Sequence, residues 1–362
     1  MKIVTVIGAR PQFIKAAAVS GKLKEVGIKE RIIHTGQHFD TTMSEVFFRE
    51  LQIPDPVYNL GIAAKRHGEM IAGMLVKIEE ILIEEAPLAV MVYGDTNSTL
   101  AGALAACKLN IDVIHIEAGL RSYKKSMPEE VNRILTDQMS ALLLCPSIKA
   151  KENLHSEGIT ENVYVCGDVM GDLFFSCLER AKNKQSDILC SAGIGSEPFS
   201  VLTCHRDGAT HSPQIIKDIL SAVNQLGVKV VFPVHPRTKN LIRDNGIKLP
   251  ENVKELSPLG YLNMIALMHR AQFIMTDSGG MQKEAYWMGK PCFTLREETE
   301  WVETVQNGWN VLTGTNSARI LQSVQSYQKP QYRPPLYGHG SAGTECAKLI
   351  VEYLERNPAL QG

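Results

Sequence analysis

The sequence predicts an α/β protein made of two doubly wound domains, each a parallel sheet with helices on both faces. Three observations carry this. A chain of 362 residues exceeds one ordinary core and fits two domains of ~150–200 residues. Short apolar runs alternate with amphipathic stretches from end to end, the signature of βαβ units. The alternation also pauses once, at a polar segment, and then restarts.

In the first half, residues 3–7, 31–34, 88–93, 113–116, 142–145 and 163–166 are short runs rich in valine and isoleucine. They lack polar/apolar alternation, as expected for strands buried on both faces. Between them, residues 11–25, 67–84 and 99–109 have helical period. The opening Met1-Lys2-Ile3-Val4-Thr5-Val6-Ile7-Gly8 meets Arg10 and Pro11 at once, with no small-residue cleavage site. It reads as a first buried strand rather than a signal peptide. No run approaches the ~18 apolar residues of a membrane span, so a cytoplasmic location is expected. A helical stretch at 169–184 leads into the polar segment 183–198, with Gly193, Gly195 and Pro198, which is the best linker candidate. Residues 200–204, 229–233, 273–276 and 291–294 then read as strands, and 344–355 as a terminal helix.

Composition narrows the chemistry. With 38 basic and 39 acidic side chains, there is no global attraction to nucleic acid or anionic lipid. The eight cysteines stand singly, without C-x-x-C spacing. That pattern disfavours a zinc site, a redox motif or a disulfide framework and reads as reduced thiols in the cytosol. G-x-x-x-x-G-K-[ST] does not occur, and the one G-x-G-x-x-G, Gly338–Gly343, follows a polar, proline-containing stretch rather than an apolar strand run, so dinucleotide and P-loop signatures are missing in their required context.

In doubly wound sheets, ligands bind beyond the carboxyl ends of strands, and the polar residues collect there. Arg10 and Lys15 flank the helix start after the first strand, where anions are favoured; a surface-charged helix start is the alternative. Asp95 follows the strand ending at Tyr93, Glu117 the strand ending at Ile116, and Glu129 and Glu130 open a helix. Taken singly, Asp95, Glu129 and Glu130 read equally as helix-dipole partners. As a set they converge on one crevice, where clustered carboxylates raise one another's pKa and suit proton transfer. In the second half, His205 and His235 follow strands. Ser278, Gly279 and Gly280 open a helix with exposed N–H groups suited to phosphate. Glu284, about one turn on, is placed to accept two ribose hydroxyls. The histidines lack carboxylate or cysteine partners at ligand spacing, which disfavours a metal.

The blocks Gly8–Lys15 (G-A-R-P-Q-F-I-K), His34–His38, Gly94–Thr99, His115–Ser122 (H-I-E-A-G-L-R-S), Met127–Arg133 (M-P-E-E-V-N-R), Pro233–Pro236 and Thr276–Ala285 together resemble the non-hydrolysing UDP-N-acetylglucosamine 2-epimerases. They run in the family's order over nearly the whole chain. The resemblance implies two Rossmann-like domains in the glycosyltransferase-B arrangement, with an interdomain cleft. The first is expected at residues 1–170, with the helix 344–356 packing back on it, and the second at 171–343. No metal or nicotinamide cofactor is implied, and the family precedent is a homodimer. The family reaction eliminates UDP to a 2-acetamidoglucal and adds it back with C2 inverted. Asp95, Glu117 and Glu129 become acid/base carboxylates by matching motif. Arg10, Lys15, His205, Ser278, Gly279, Gly280 and Glu284 become UDP contacts, with His205 and Arg10 stabilising the departing diphosphate.

Three departures from the family pattern stand out. The usual H-R-x-E-N reads His205-Arg206-Asp207-Gly208-Ala209-Thr210. Met264 takes the place of an aromatic expected beside the uracil. The usual T-E-R-P-E segment reads Glu298-Thr299-Glu300-Trp301-Val302-Glu303. With His67-Gly68-Glu69-Met70, that last form resembles the branch acting on UDP-2,3-diacetamido-2,3-dideoxyglucuronic acid. Allosteric glutamines of some relatives find no match in residues 39–46, so that regulation is not expected. Rival readings are a UDP-sugar glycosyltransferase, a hydrolysing 2-epimerase and an idle nucleotide-sugar binder. The three carboxylates weigh against the first and last.

Overall fold

The computed structural model describes residues 1–37, 55–62, 66–183, 185–205 and 212–356, apart from the side chains of Arg10, Ile188 and Ser191. His38, the 39–46 stretch and Arg206–Thr210 therefore lie outside the described residues.

The chain divides into two compact units, residues 1–175 with 335–362, and residues 176–334. In the first, strands β1 (Lys2–Ile7), β2 (Lys29–His34), β3 (Tyr58–Asn59), β4 (Ala89–Tyr93), β5 (Asp112–Ile116), β6 (Leu142–Cys145) and β7 (Val163–Val165) form one sheet, ordered β3-β2-β1-β4-β5-β6-β7. Every pairing in it is parallel. Helices α1 (Arg10–Glu25), α2 (His67–Glu85), α3 (Asn97–Lys108), α4 (Pro128–Met139), α5 (Ile148–Ser156) and α6 (Val169–Asn183) follow successive strands. The central strands are largely apolar because both faces are covered. Ile3, Ile7, Met91 and Tyr93 enter one core layer, and Val4, Val6, Val90 and Val92 enter the other.

The second unit holds α7 (Gln185–Ser191), β8 (Ser200–Thr203), α8 (Pro213–Leu226), β9 (Val230–Pro233), α9 (Pro236–Asp244), β10 (Val253–Leu256), α10 (Tyr261–Arg270), β11 (Ile274–Thr276), α11 (Gly279–Trp287), β12 (Cys292–Thr294), α12 (Val302–Gln306), β13 (Asn310–Leu312) and α13 (Ser317–Gln325). Its parallel sheet runs β10-β9-β8-β11-β12-β13.

Both sheets are doubly wound, which bears out the expected fold class. The division between units falls inside α6, not at the polar 183–198 segment. That segment folds instead, because Leu189 and Ile194 enter the second unit's core and Gln185 Nε2 donates to Ala266 O at 3.0 Å. The last helix, α14 (Ala342–Arg356), packs on the first unit. Ala342, Cys346, Ile350 and Leu354 form a stripe of period four buried in the same core as α1. Ile350 and Leu354 each contribute about 1.5–3 kcal/mol by burial. Asp172 of α6 accepts from Ala342 N (2.9 Å) and Gly343 N (2.7 Å), satisfying donors at the helix start.

Candidate active site

In each sheet the winding direction reverses at one place: between β1 and β4 in the first unit, and between β8 and β11 in the second. Crevices at such switch points receive ligands; Arg10, Asp95, His205 and Ser278 follow the four strands concerned, and Glu117 follows the neighbouring β5.

In the first unit, Gly8 directly follows β1. A side chain there would overlap Thr35 Oγ1 and Ser98 Oγ, which bond each other at 2.8 Å. Gln12 Oε1 accepts from Gly8 N (2.8 Å) and Ala9 N (3.0 Å), and its Nε2 donates to Tyr93 O (3.0 Å). The β1 turn is thereby tied to the end of β4. Arg10 is the first residue of α1. One turn on, the Lys15 ammonium pairs with the Glu117 carboxylate, each side chain only 9% exposed. Burial works against the Lys15 charge, but Glu117 and then Asp95 overcome it, raising its pKa above the ordinary lysine value. Gly94, at φ +62°, forms the floor of the pair; a Cβ there would come within 3.0 Å of both Glu117 Oε2 and Lys15 Nζ.

Asp95 pairs with Arg133 of α4, whose Nη1 also donates to Glu130 Oε2 at 2.7 Å. The neighbouring glutamates of α4 differ sharply. Glu130 is buried and accepts from Ser122 N and Oγ (both 2.9 Å) and Tyr123 N (2.7 Å). Burial opposes its ionisation, yet these bonds and Arg133 hold its carboxyl below the usual glutamate value. Glu129 is exposed in the first turn. Asn132 Nδ2 reaches Asp95 O (3.0 Å) and Asn97 Oδ1 (3.2 Å), and Asn97 Nδ2 meets His67 Nδ1 at 3.0 Å.

Three of the carboxylates each face a cation. Asp95 and Glu130 face Arg133, and Glu117 faces Lys15. Alternating charge orders these side chains better than mutual repulsion would, since each buried charge gains a partner. Gln12, Asn132 and Arg133 went unread as site residues. The sequence signals available were a glutamine at the third helical position after Pro11, and arginine three residues beyond Glu130.

In the second unit, His205 follows β8. Its backbone N donates to Asp277 Oδ2 (2.7 Å), and its Nδ1 lies 3.1 Å from Asp277 Oδ1. Asp277 is fully buried and the His205 side chain is 40% exposed, so the ring is oriented from below while remaining open to solvent. The rings of His205 and His235 lie 5.8 Å apart between centroids. Ser278 caps α11, its N bonded to Thr276 Oγ1 at 3.0 Å, and Gly279 and Gly280 form the first turn. Their free backbone donors make a helix start of the kind that binds anions. Glu284 is buried further along α11. Met264, on α10, packs against the core cluster that includes Met281. Among the described residues, no group of three or more His, Cys, Asp or Glu could hold a metal ion, and no helix is long and apolar enough to cross a membrane. A surface cavity of about 200 Å³ between Tyr164 and the end of α14 is smaller than ordinary ligand pockets of ~300–1,000 Å³ and lies away from the switch point.

Fold and strand-end chemistry together define a two-unit α/β protein, with paired carboxylates and cations in one unit and a histidine beside an anion-suited helix start in the other. The model of the UDP-N-acetylglucosamine 2-epimerase family matches residues 22–351, and the chain belongs to that family. It is 47% identical over 362 residues to the UDP-2,3-diacetamido-2,3-dideoxy-D-glucuronate 2-epimerase of Pseudomonas aeruginosa, covering 97% of this chain and 100% of that one. It is 46% identical over 358 residues to a UDP-N-acetylglucosamine 2-epimerase homolog of Methanococcus maripaludis, covering 97% and 99%. The crystal structure of the Methanocaldococcus jannaschii UDP-GlcNAc 2-epimerase in complex with UDP-GlcNAc and UDP matches with a TM-score of 0.88 at 38% identity, covering 97% of this chain and 100% of that one.

Proposed function

We propose that this protein inverts C2 of a UDP-linked 2-acetamido sugar by eliminating UDP and adding it back. The observation that carries the reading is the pair of carboxylates at adjacent strand ends, Asp95 and Glu117, each held by a cation. The C2 hydrogen beside an acetamido group is a very weak acid, so its loss must be coupled to departure of a good leaving group. A carboxylate takes the C2 proton, the C–H electrons form the C1=C2 bond of a glycal, and the C1–O pair leaves on UDP. Re-addition reverses these changes, with a proton delivered to the opposite face of C2. Asp95, Glu117 and the exposed Glu129 handle the protons. Arg10, Lys15, Ser278, Gly279, Gly280, Glu284 and Met264 contact UDP, and His205 with Arg10 neutralises the leaving diphosphate.

The preferred sugar is the 2,3-diacetamido uronic acid, on the strength of the Glu298–Glu303 and His67–Met70 segments together with the Pseudomonas relative. The product serves surface-polysaccharide precursor synthesis, and the working form is a cytoplasmic homodimer without cofactor. The test is incubation of the protein in deuterium oxide with each UDP-sugar, followed by proton NMR. Inverted product carrying deuterium at C2 is expected, with the higher kcat/KM on the diacetamido uronic acid. Product keeping its original C2 hydrogen would sink the elimination mechanism. Equal or better efficiency with UDP-N-acetylglucosamine would sink the substrate preference alone.

A further inference from the structure

The H-I-E-A-G-L-R-S block contributes Glu117 to the reaction proposed above, but that role leaves His115 and Arg121 unused. Both are buried, on either side of Glu117. His115 Nδ1 lies 2.7 Å from Asp137 Oδ1, and its Nε2 donates to Gly94 O at 2.8 Å. Asp137, in the last turn of α4, also accepts from Gly119 N at 3.2 Å and from Arg121 Nη1 at 2.7 Å. Arg121 donates further to Leu120 O (2.6 Å) and, with Nε and Nη2, to both oxygens of Glu157 (2.7 and 2.6 Å). The His115 and Asp137 side chains are completely buried.

Glu117 stands between these anchors at φ +69°, a left-handed conformation that a non-glycine residue holds only when its surroundings enforce it. Its own N–H and that of Ala118 both donate to Leu144 O, at 3.0 and 3.1 Å. Asp137 binds the residue two before Glu117 and the residue two after it. Through His115 it also fixes the carbonyl immediately before Asp95. One buried carboxylate therefore reaches the backbone beneath both proton-transfer candidates.

We propose that His115, Asp137 and Arg121 are positioning residues. They form a buried brace that holds Glu117 in its left-handed conformation and the Gly94–Asp95 turn in register with it, so that both carboxylates meet C2 in the reactive geometry. The proposal rests on the epimerase reading for its kinetic consequence and on the hydrogen bonds alone for its structural one. Displacing a reacting group by ~1 Å costs on the order of 100-fold in rate, whereas substrate affinity, set mainly by UDP, changes little.

The experiment uses the full chain with His115→Ala and His115→Gln, the second retaining a donor for Gly94 O. UDP-binding stoichiometry sets the folded fraction of each. Steady-state kinetics on the UDP-sugar that wild type turns over, unlabelled and deuterated at C2, gives kcat, KM and the isotope effect. Amide exchange is followed over residues 94–96 and 117–119. For His115→Ala we expect kcat about 100-fold down with KM within about threefold, an enlarged C2 isotope effect, and faster exchange in both segments. His115→Gln should recover about tenfold of the loss. A purely structural role would scale the rate with the folded fraction and leave the isotope effect unchanged; that result overturns the proposal. So does unchanged exchange at 94–96 and 117–119. A wild type that epimerises neither UDP-sugar would remove the proposed function, and the brace would then stand or fall on the exchange result.

Discussion

Replacing Lys15 by methionine gives the sharpest test of the Lys15–Glu117 pair. The substitution keeps the length and apolar stem of the side chain but leaves a carboxylate uncompensated where only 9% of its side chain meets solvent. Exposed ion pairs contribute at most about 1 kcal/mol, whereas breaking a buried pair by removing one partner costs about 3–5 kcal/mol. The burial here puts Lys15→Met in the second regime. For a unit of this size that corresponds to a fall of about 6–20 °C in thermal midpoint. Glu117→Gln should cost less, because Lys15 retains Asp95 nearby. The double variant should be more stable than Lys15→Met, with a coupling energy of about 1–3 kcal/mol across the cycle. Calorimetry suits the measurement, since the three tryptophans, Trp287, Trp301 and Trp309, all lie in the second unit. The pH dependence has a definite sign. The folded-state pKa of Lys15 is raised, so the pair's contribution is complete below the unfolded lysine value of about 10.4 and is lost as pH rises through the folded one. Single variants within about 0.5 kcal/mol of wild type, with additive effects, would refute the pairing and with it the geometry assigned to Glu117.

Three further outcomes follow from particular contacts. Glu85 accepts from Tyr58 OH (2.7 Å), Arg31 Nε (2.9 Å) and Lys2 Nζ (3.2 Å), and these bonds, that of Tyr58 foremost, bring its pKa down to about 2. Its two cationic partners are about a third exposed, so Glu85→Gln should cost about 1–2 kcal/mol at neutral pH. Because the pKa is depressed, that difference should shrink as pH falls from the unfolded value of about 4.3 towards 2; a pH-independent difference in urea midpoint would contradict it. Gly8→Ala should destabilise by about 1–3 kcal/mol by overpacking against Thr35 and Ser98, and unchanged denaturant stability would show that this turn can relax. His205→Ala should lower kcat by about 100–1,000-fold, while near-normal turnover would remove His205 from diphosphate stabilisation.

Most of the architecture was legible because a strand covered on both faces must be apolar along its whole length, and a run such as Ala89–Tyr93 therefore announces itself. The strands that went unread explain themselves in the same terms. β3 and β13 are very short, and β10, Val253-Lys254-Glu255-Leu256, has no fully buried residue. All three lie at sheet edges, where solvent on one side removes the apolar signal. The 183–198 segment misled in the opposite direction, its glycines and proline masking the apolar Leu189 and Ile194 that dock it into a core.

Residue types at short spacing suffice for the alternation of strands and helices, the family, and which polar residues stand just beyond strand ends. Tertiary structure alone decided the strand order that locates the switch points and the pairing of those polar groups. Glu129 and Glu130 are the same residue type side by side, yet one helical step turns Glu129 to solvent and Glu130 into buried bonds with the backbone of Ser122 and Tyr123. Asp95 finds Arg133, Lys15 finds Glu117, and Asp137 reaches both His115 and Gly119 across strand and helix. No local spacing encodes such contacts, since they exist only once the parallel sheet has brought distant strand ends to a common edge and excluded the water that would otherwise satisfy each charge separately.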